Sequence, residues 1–248
     1  DQITRLIDQN GDDAADVYEC FCNLYESSPG GHDYVTCLER DSHGNWYLVH
    51  ANQGVIRISP DGRQMESIAT GLRNPNGLGI GGGDIITVAP QEGEWTPASA
   101  IFEVHPGDHF GYKGPKITDK RPLGYDPPLC WIPRRQDNLC GGQCWADTQT
   151  WGPLSGMMLH FSYGQCTMLP VLREVIDGVA QGATMEWPLS FDSGVMRGRF
   201  SPRDGQLYVS GLKGWVSSAV NDGCLQRVRY TGKPVLTPVA MKSYHNGL

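Results

Sequence analysis

Short runs rich in apolar residues, bounded by Gly, Asn, Asp or Pro, dominate the chain. The clearest unit spans residues 33–71. Its strand candidates are 34–41, 46–51, 54–59 and 63–70. Short runs of this kind predict strands, and the Gly, Asn and Asp residues between them predict tight turns. Four short strands within roughly 40 residues are typical of one blade of a β-propeller.

Similar units recur farther along the chain. Further blade-like units cover 77–112, 141–188 and 197–230, and the N-terminal residues predict an outer strand and turn of an incomplete blade. Segment 169–179 has ambiguous periodicity, but its β-branched residues favour a strand. Residues 114–138, rich in Pro, Lys, Arg and Asp, predict a long ordered loop, a feature that is often functional.

These patterns predict an all-β chain forming a single β-propeller domain over residues 1–248, with four to five blades. Closed propellers have four to eight blades. The spacing does not decide whether the ring closes, and we expect these blades to be part of a six-bladed ring. The chain begins at Asp1 without a signal peptide and ends at Leu248 in mid-pattern. We therefore expect a fragment of a longer secreted protein, periplasmic or extracellular.

Charge and cysteine content narrow the function classes. The net charge of −7 argues against a nucleic-acid partner, and no apolar run reaches the length of a membrane span. The 8 cysteines include no CxxCH haem attachment motif. Cys20 and Cys22 form CxC, and Cys140 and Cys144 form CxxxC. Disulfides or buried thiols are favoured, with zinc ligation as a further alternative.

Several phrases match a known family in order and spacing over residues 30–230. They are His32-Asp33-Tyr34 followed by the turn 41–45, and the segments 71–80, 89–95, 105–112 and 198–214. The chain thereby resembles the soluble glucose/sorbosone dehydrogenases that depend on pyrroloquinoline quinone (PQQ). Segments 113–138 and 177–189 resemble most closely a planctomycete-type subgroup of membrane-bound-dehydrogenase-like or haem-binding proteins. Propellers of that subgroup are often fused to a cytochrome c domain.

The resemblance implies a set of cofactor-binding residues. PQQ carries three carboxylates, which Arg binds in bidentate fashion. Arg73 and Lys213 occupy positions that the family uses for cofactor contacts, and Asn74 would add an amide hydrogen bond. Arg197 and Arg199 project to one face of a strand and could add charge at the same mouth. The alternative for all four cations is that they are solvated charges at blade ends.

The resemblance also implies a catalytic base and a metal. His32 would accept the proton of the sugar hydroxyl, since imidazole titrates near neutrality; a structural turn histidine is the alternative. Gly93 and Glu94 match a calcium-binding turn. The family pattern continues with acidic residues, whereas this chain has 95–99 as Trp-Thr-Pro-Ala-Ser, so a solvent-exposed acidic turn is an equal alternative.

Other histidines and aromatic residues have structural or ligand-stacking interpretations. His50, His105 and His160 lie within strand patterns and are expected to serve packing or the surface. Five aromatic residues are placed near loops, where they would stack on sugar or quinone rings or pack the blades. They are Trp95, His109, Tyr112, Trp145 and Trp215.

Two functional hypotheses follow. The first is an enzyme in which a quinone cofactor oxidises a sugar or alcohol in the periplasm, with electrons passed to a cytochrome. The second is a non-catalytic propeller that binds a glycan or a protein partner; the acid-poor turn and the cysteines favour it. A purely structural spacer is a third, weaker alternative. Propellers host many functions, so the fold does not choose between them.

Overall fold

The predicted runs form short antiparallel strands. The computed structural model describes residues 2–26, 34–214 and 217–232. The N-terminal strands β1 (Ile3–Ile7) and β2 (Val17–Cys22) form a separate two-stranded antiparallel sheet. Among the described residues, no helix is long and apolar enough to cross a membrane.

Four larger sheets follow in chain order. The first contains β3 (Thr36–Arg40), β4 (Trp46–His50), β5 (Gly54–Ile58), β6 (Met65–Thr70) and the short β10 (Asp108–His109). The second contains β7 (Gly77–Gly81), β8 (Ile85–Ala89), β9 (Ser99–Glu103) and β11 (Cys130–Ile132). The third contains β12 (Cys140–Trp145), β13 (Met158–Ser162), β14 (Thr167–Ile176) and β15 (Val179–Thr184). The fourth contains β16 (Gly194–Phe200), β17 (Leu207–Leu212) and β18 (Gly223–Val228).

The sheets meet through their first strands. β7 lies against both β3 and β12, and β12 lies against β16. The guanidinium of Arg199 on β16 also reaches the carboxylate of Glu39 on β3, at 2.6 Å. Consecutive meandering sheets whose first strands face one another are the blades of a β-propeller, which confirms the predicted fold class. We call the face at which β3, β7, β12 and β16 begin the upper face, and the opposite one the lower face.

Glycine allows the second and third blades to approach closely. Gly77, Gly79 and Gly81 alternate along β7 and therefore share one face of the strand. A Cβ on Gly79 would lie 2.6 Å from the backbone oxygen of Gln143 on β12. Apolar side chains fill the remaining space between blades, and Leu78 and Phe161 are completely buried. Burial of such residues is the main force that holds the sheets together.

The predicted loop 114–138 is only partly a loop. Its residues Cys130–Ile132 form β11, which pairs with β9 as the outer strand of the second blade. Upstream of it, β10 joins the first blade in parallel with β6. Both strands are too short to show a period-two pattern, which explains why the sequence did not reveal them. The predicted strand at 169–179 is confirmed by β14.

All 8 cysteines are unpaired thiols. Five of them are buried: Cys22, Cys130, Cys140, Cys144 and Cys166. The buried-thiol alternative therefore describes most of the set, and no disulfide joins the blades within the described chain.

Candidate functional site

The predicted cofactor residues Arg73 and Asn74 lie beside the predicted metal-binding turn. They precede β7, whereas the turn 91–94 follows β8, and Gly77 pairs with Ala89. Antiparallel pairing thus brings both segments to the upper face. The Nη1 atom of Arg73 donates to the Glu92 carbonyl at 2.7 Å. The amide of Asn74 donates to Oε1 of Gln91 at 3.2 Å.

Gly93 is required by this contact. It has a φ of 145°, and a Cβ placed on it would lie 2.3 Å from Cζ of Arg73. Any larger residue would displace the guanidinium from the turn. The turn is therefore built around the arginine, which explains the glycine at this position.

The same contact makes the turn a poor calcium site. Calcium takes six to eight oxygen ligands. The Glu92 carbonyl accepts from the guanidinium of Arg73, and the Gly93 carbonyl accepts from the Thr96 amide at 3.0 Å. A fixed positive charge against the turn repels a second cation. Each of these carbonyls keeps one lone pair and Glu94 is exposed, so Gly93 and Glu94 stay a prediction, with fewer ligands than calcium needs among the described groups of the turn.

Arg197 and Arg199 have different surroundings. Arg197 donates to the backbone oxygen of Asn76 at 3.1 Å and to its Oδ1 at 3.2 Å. These acceptors are neutral, as is its third partner, the Met196 carbonyl. Arg199 instead forms an ion pair with Glu39. Of the two, only Arg197 therefore forms no ion pair among the described residues, although its charge lies close enough to Glu39 to lower the pKa of that carboxyl against the larger opposing effect of burial.

Lys213 also lies on the upper face. It follows β17, whose last residue, Leu212, pairs with Gly194 at the start of β16. Its amide donates to the Asp222 carbonyl at 2.8 Å, and its side chain is exposed. The described contacts do not join Lys213 to Arg73. The predicted base His32 lies outside the described residues, as does Trp215.

Asn76 is a site residue that the sequence reasoning missed. It is 5% exposed, and its Nδ2 donates to the Cys140 carbonyl at 2.8 Å. Its backbone oxygen accepts from Cys37 Sγ at 3.2 Å as well as from Arg197. It therefore ties the segment after Arg73 to β3, β12 and β16. The Asn-Pro-Asn sequence at 74–76 was the available signal.

Arg134 adds a further cation on this face. Its Nη1 lies 2.9 Å from Oε1 of Glu92, and 74% of its side chain is exposed. Because Arg134 lies in the predicted loop 114–138, no sequence pattern marked it as a site residue. The ion pair places a second guanidinium beside the turn that holds Arg73.

A buried polar network lies next to the turn. The Asp137 carboxylate contacts His160 Nε2 at 2.8 Å and accepts from Ser162 at 2.6 Å. Cys140 donates to the Pro90 carbonyl, one residue before Gln91. Asp137, Cys140 and His160 are close enough to one another to ligate a metal.

The histidine of this network has no free nitrogen. His160 Nδ1 contacts the side-chain amide of Gln143 at 3.0 Å, and Nε2 faces Asp137. His160 is fully buried. The hydrogen bonds satisfy the network without a metal, and His160 serves packing, as predicted. His50 is likewise buried, whereas His105 is at the surface.

The predicted aromatic set separates by exposure. His109 and Trp145 are 4% and 7% exposed and therefore pack the blades. Trp95 is 56% exposed and directly follows the turn 91–94. Tyr112 is half-buried, and Nζ of Lys113 lies 5.5 Å from its ring centroid. Of the members that the structure describes, Trp95 is thus the one that presents a large open ring surface to a ligand.

The chain matches no protein-family model and no curated protein. Solved structures share its fold. An oxidoreductase of Thermus thermophilus, assigned as a glucose dehydrogenase, has a TM-score of 0.60 at 17% identity, over 87% of this chain and 70% of that one. The apo-form of the soluble aldose sugar dehydrogenase of Escherichia coli has a TM-score of 0.60 at 12% identity, over 88% and 70%. The PQQ-bound form of the aldose sugar dehydrogenase of Streptomyces coelicolor has a TM-score of 0.55 at 12% identity, over 77% and 60%.

Proposed function

We propose that the chain oxidises a sugar or another alcohol with PQQ bound at the upper face. The observation that supports this proposal most directly is that Arg73, Asn74 and Arg197 lie around one segment at the start of β7. The likeness in fold to a PQQ-bound aldose sugar dehydrogenase supports the choice of cofactor. The matching phrases of the sequence support the same choice independently.

The donor set suits a ligand with three carboxylates. Among the described contacts, Arg73 uses one of its five N–H groups, so the others can donate to a carboxylate. Arg197 offers a half-buried positive charge with neutral partners, and Lys213 adds an exposed ammonium. Arg199 is assigned a lesser part because Glu39 already neutralises it.

Bound PQQ would supply a two-electron acceptor. The chain would hold the carboxylates of the cofactor with its cations and orient the substrate hydroxyl. His32 would accept the hydroxyl proton, because a neutral imidazole is a suitable base near neutral pH. No step is assigned to calcium.

The proposal also covers the localisation of the protein, its electron acceptor and its subgroup. We place the protein in the periplasm or outside the cell, with a cytochrome c domain or protein as electron acceptor. We also propose membership of the planctomycete-type subgroup, on the two matching segments 113–138 and 177–189. These points rest on the sequence resemblance.

Cofactor binding tests the proposal directly. PQQ titrated into purified protein should produce a bound-quinone absorbance change at micromolar concentration, and aldoses should then reduce an electron-accepting dye. Arg73→Ala and Arg197→Ala should weaken quinone binding about tenfold or more, because each removes charge-assisted hydrogen bonds. Thermal unfolding of each variant checks that it is folded.

Arg203→Ala is the matched control. Arg203 is exposed in the turn after β16 and therefore lies at the lower face. Its loss should leave quinone affinity unchanged. Absence of quinone binding at micromolar concentration, or an equal loss in the Arg203 variant, would refute the proposed cofactor site.

The second candidate function is non-catalytic glycan binding. The exposed Trp95 and the acid-poor turn favour it. Glycan binding by protein that neither binds PQQ nor reduces dye would select this candidate over the enzyme.

A further inference from the structure

Trp95 is presented to solvent in an unusual way. It is 56% exposed and has a φ of 64°, in the left-handed region that bulky residues seldom occupy. Gly93 and Thr96 on either side exchange two backbone hydrogen bonds, of 2.7 and 3.0 Å. These bonds close a tight turn that has Trp95 at its tip.

Hydrogen bonds hold the turn that carries Trp95. The Gln91 amide donates to the Arg73 carbonyl at 3.2 Å, and Arg73 returns a bond to the Glu92 carbonyl. Thr96, directly after Trp95, is buried. The backbone that carries Trp95 is therefore held in place before any ligand arrives, which lowers the entropic cost of binding.

Charged groups of both signs lie on or against the turn that carries Trp95. Glu94 is exposed immediately before it, and the Glu92–Arg134 ion pair lies on the same turn. A pyranose sugar has an apolar C–H face, which aromatic rings bind, and hydroxyls that both donate and accept hydrogen bonds. The combination of an indole face with a carboxylate and a guanidinium matches both features.

We infer that Trp95 is a stacking platform for a pyranose ring and sets the preference of the upper face for sugars over simple alcohols. The inference rests on the proposed function, whose substrate class it narrows. It also accounts for the departure from the family pattern at 95–99, where an aromatic residue replaces acids.

The experiment compares Trp95→Ala and Trp95→Phe with the control Trp131→Ala. Trp131 is also exposed, at 42%, but lies on the outer strand β11. Cellobiose and D-glucose are titrated into quinone-free protein, with intrinsic fluorescence as the readout. PQQ affinity is measured separately by absorbance, and KM and kcat are measured for D-glucose and ethanol on loaded protein.

Trp95→Ala should weaken sugar binding about three- to tenfold and raise the KM for glucose by the same factor. The kcat, the KM for ethanol and PQQ affinity should remain unchanged. Trp95→Phe should restore much of the loss, and Trp131→Ala should match the wild type. Wild-type protein that binds neither sugar, or a Trp95→Ala variant with unchanged glucose affinity, overturns the inference.

Two further outcomes separate this inference from the proposed function. Loss of PQQ affinity in Trp95→Ala would assign the ring to the cofactor and overturn the inference while supporting the enzyme. Sugar binding that depends on Trp95 in a protein that binds no PQQ would support the inference and refute the enzyme.

Discussion

At the residue scale, His109 shows how burial fixes one protonation state. Its Nδ1 contacts the Thr70 hydroxyl at 3.0 Å, and its Nε2 contacts the Gly114 carbonyl at 2.9 Å. The carbonyl requires Nε2 to carry the proton, which leaves Nδ1 to accept from Thr70. Burial lowers the pKa of His109, and the nearby Lys116 and Arg121 lower it further, against Asp126 and the bond to Gly114.

This histidine should make stability depend on pH below neutrality. The folded pKa of His109 lies below the unfolded value of about 6.5, so the unfolded chain binds the proton first. Its contribution is complete above about pH 6.5 and is lost as the pH falls. Between pH 7 and 5, the wild type should lose more unfolding free energy than His109→Gln. Urea unfolding of both proteins measures this difference, and parallel pH curves would contradict it.

At the element scale, the alternating glycines of β7 set the distance between the second and third blades. Gly79→Ala should destabilise the protein by about 2–3 kcal/mol, because its Cβ would meet the backbone of β12 rather than a movable side chain. Gly223→Ala on β18 is the control, since its Cβ would lie 3.5 Å from the nearest atom, the Gly211 oxygen. Equal midpoints of urea unfolding for the two variants would show that the blades can separate without cost.

Elements with strong local patterns could be predicted from the sequence. β3 to β6 are short runs between turns of Gly, Asn and Asp, so local chemistry specifies them. β10 and β11 are set by pairing with distant strands and left little local signal. The same distinction between local and distant determinants applies to the residues of the candidate site. The Arg73–Asn74 phrase was recognisable, whereas Asn76 depends on Cys140, 64 positions away, and on Arg197, 121 positions away.

At the scale of the whole molecule, the Arg199–Glu39 pair joins the first and fourth blades across 160 positions of sequence. The two side chains of the pair differ in exposure. The Glu39 side chain is 11% exposed, whereas that of Arg199 is 55% exposed. Burial raises the pKa of Glu39, and Arg199 only partly counteracts this. The carboxylate therefore carries most of the desolvation cost of the pair.

Removing the two partners should therefore have different effects. Arg199→Ala leaves a buried carboxylate unpaired and should cost about 1–2 kcal/mol at pH 7, after allowance for the exposure of the guanidinium. Glu39→Gln removes the charge that is costly to bury and retains an acceptor for Arg199, so its cost should be below about 1 kcal/mol. In the Glu39→Gln background, Arg199→Ala should cost less than in the wild type.

Since the folded pKa of Glu39 is raised, its ionisation opposes folding, and the penalty of Arg199→Ala should shrink as the pH falls toward about 4.5. A double-mutant cycle by urea unfolding tests this, and equal costs for both single variants would show that the pair is not governed by the burial of Glu39.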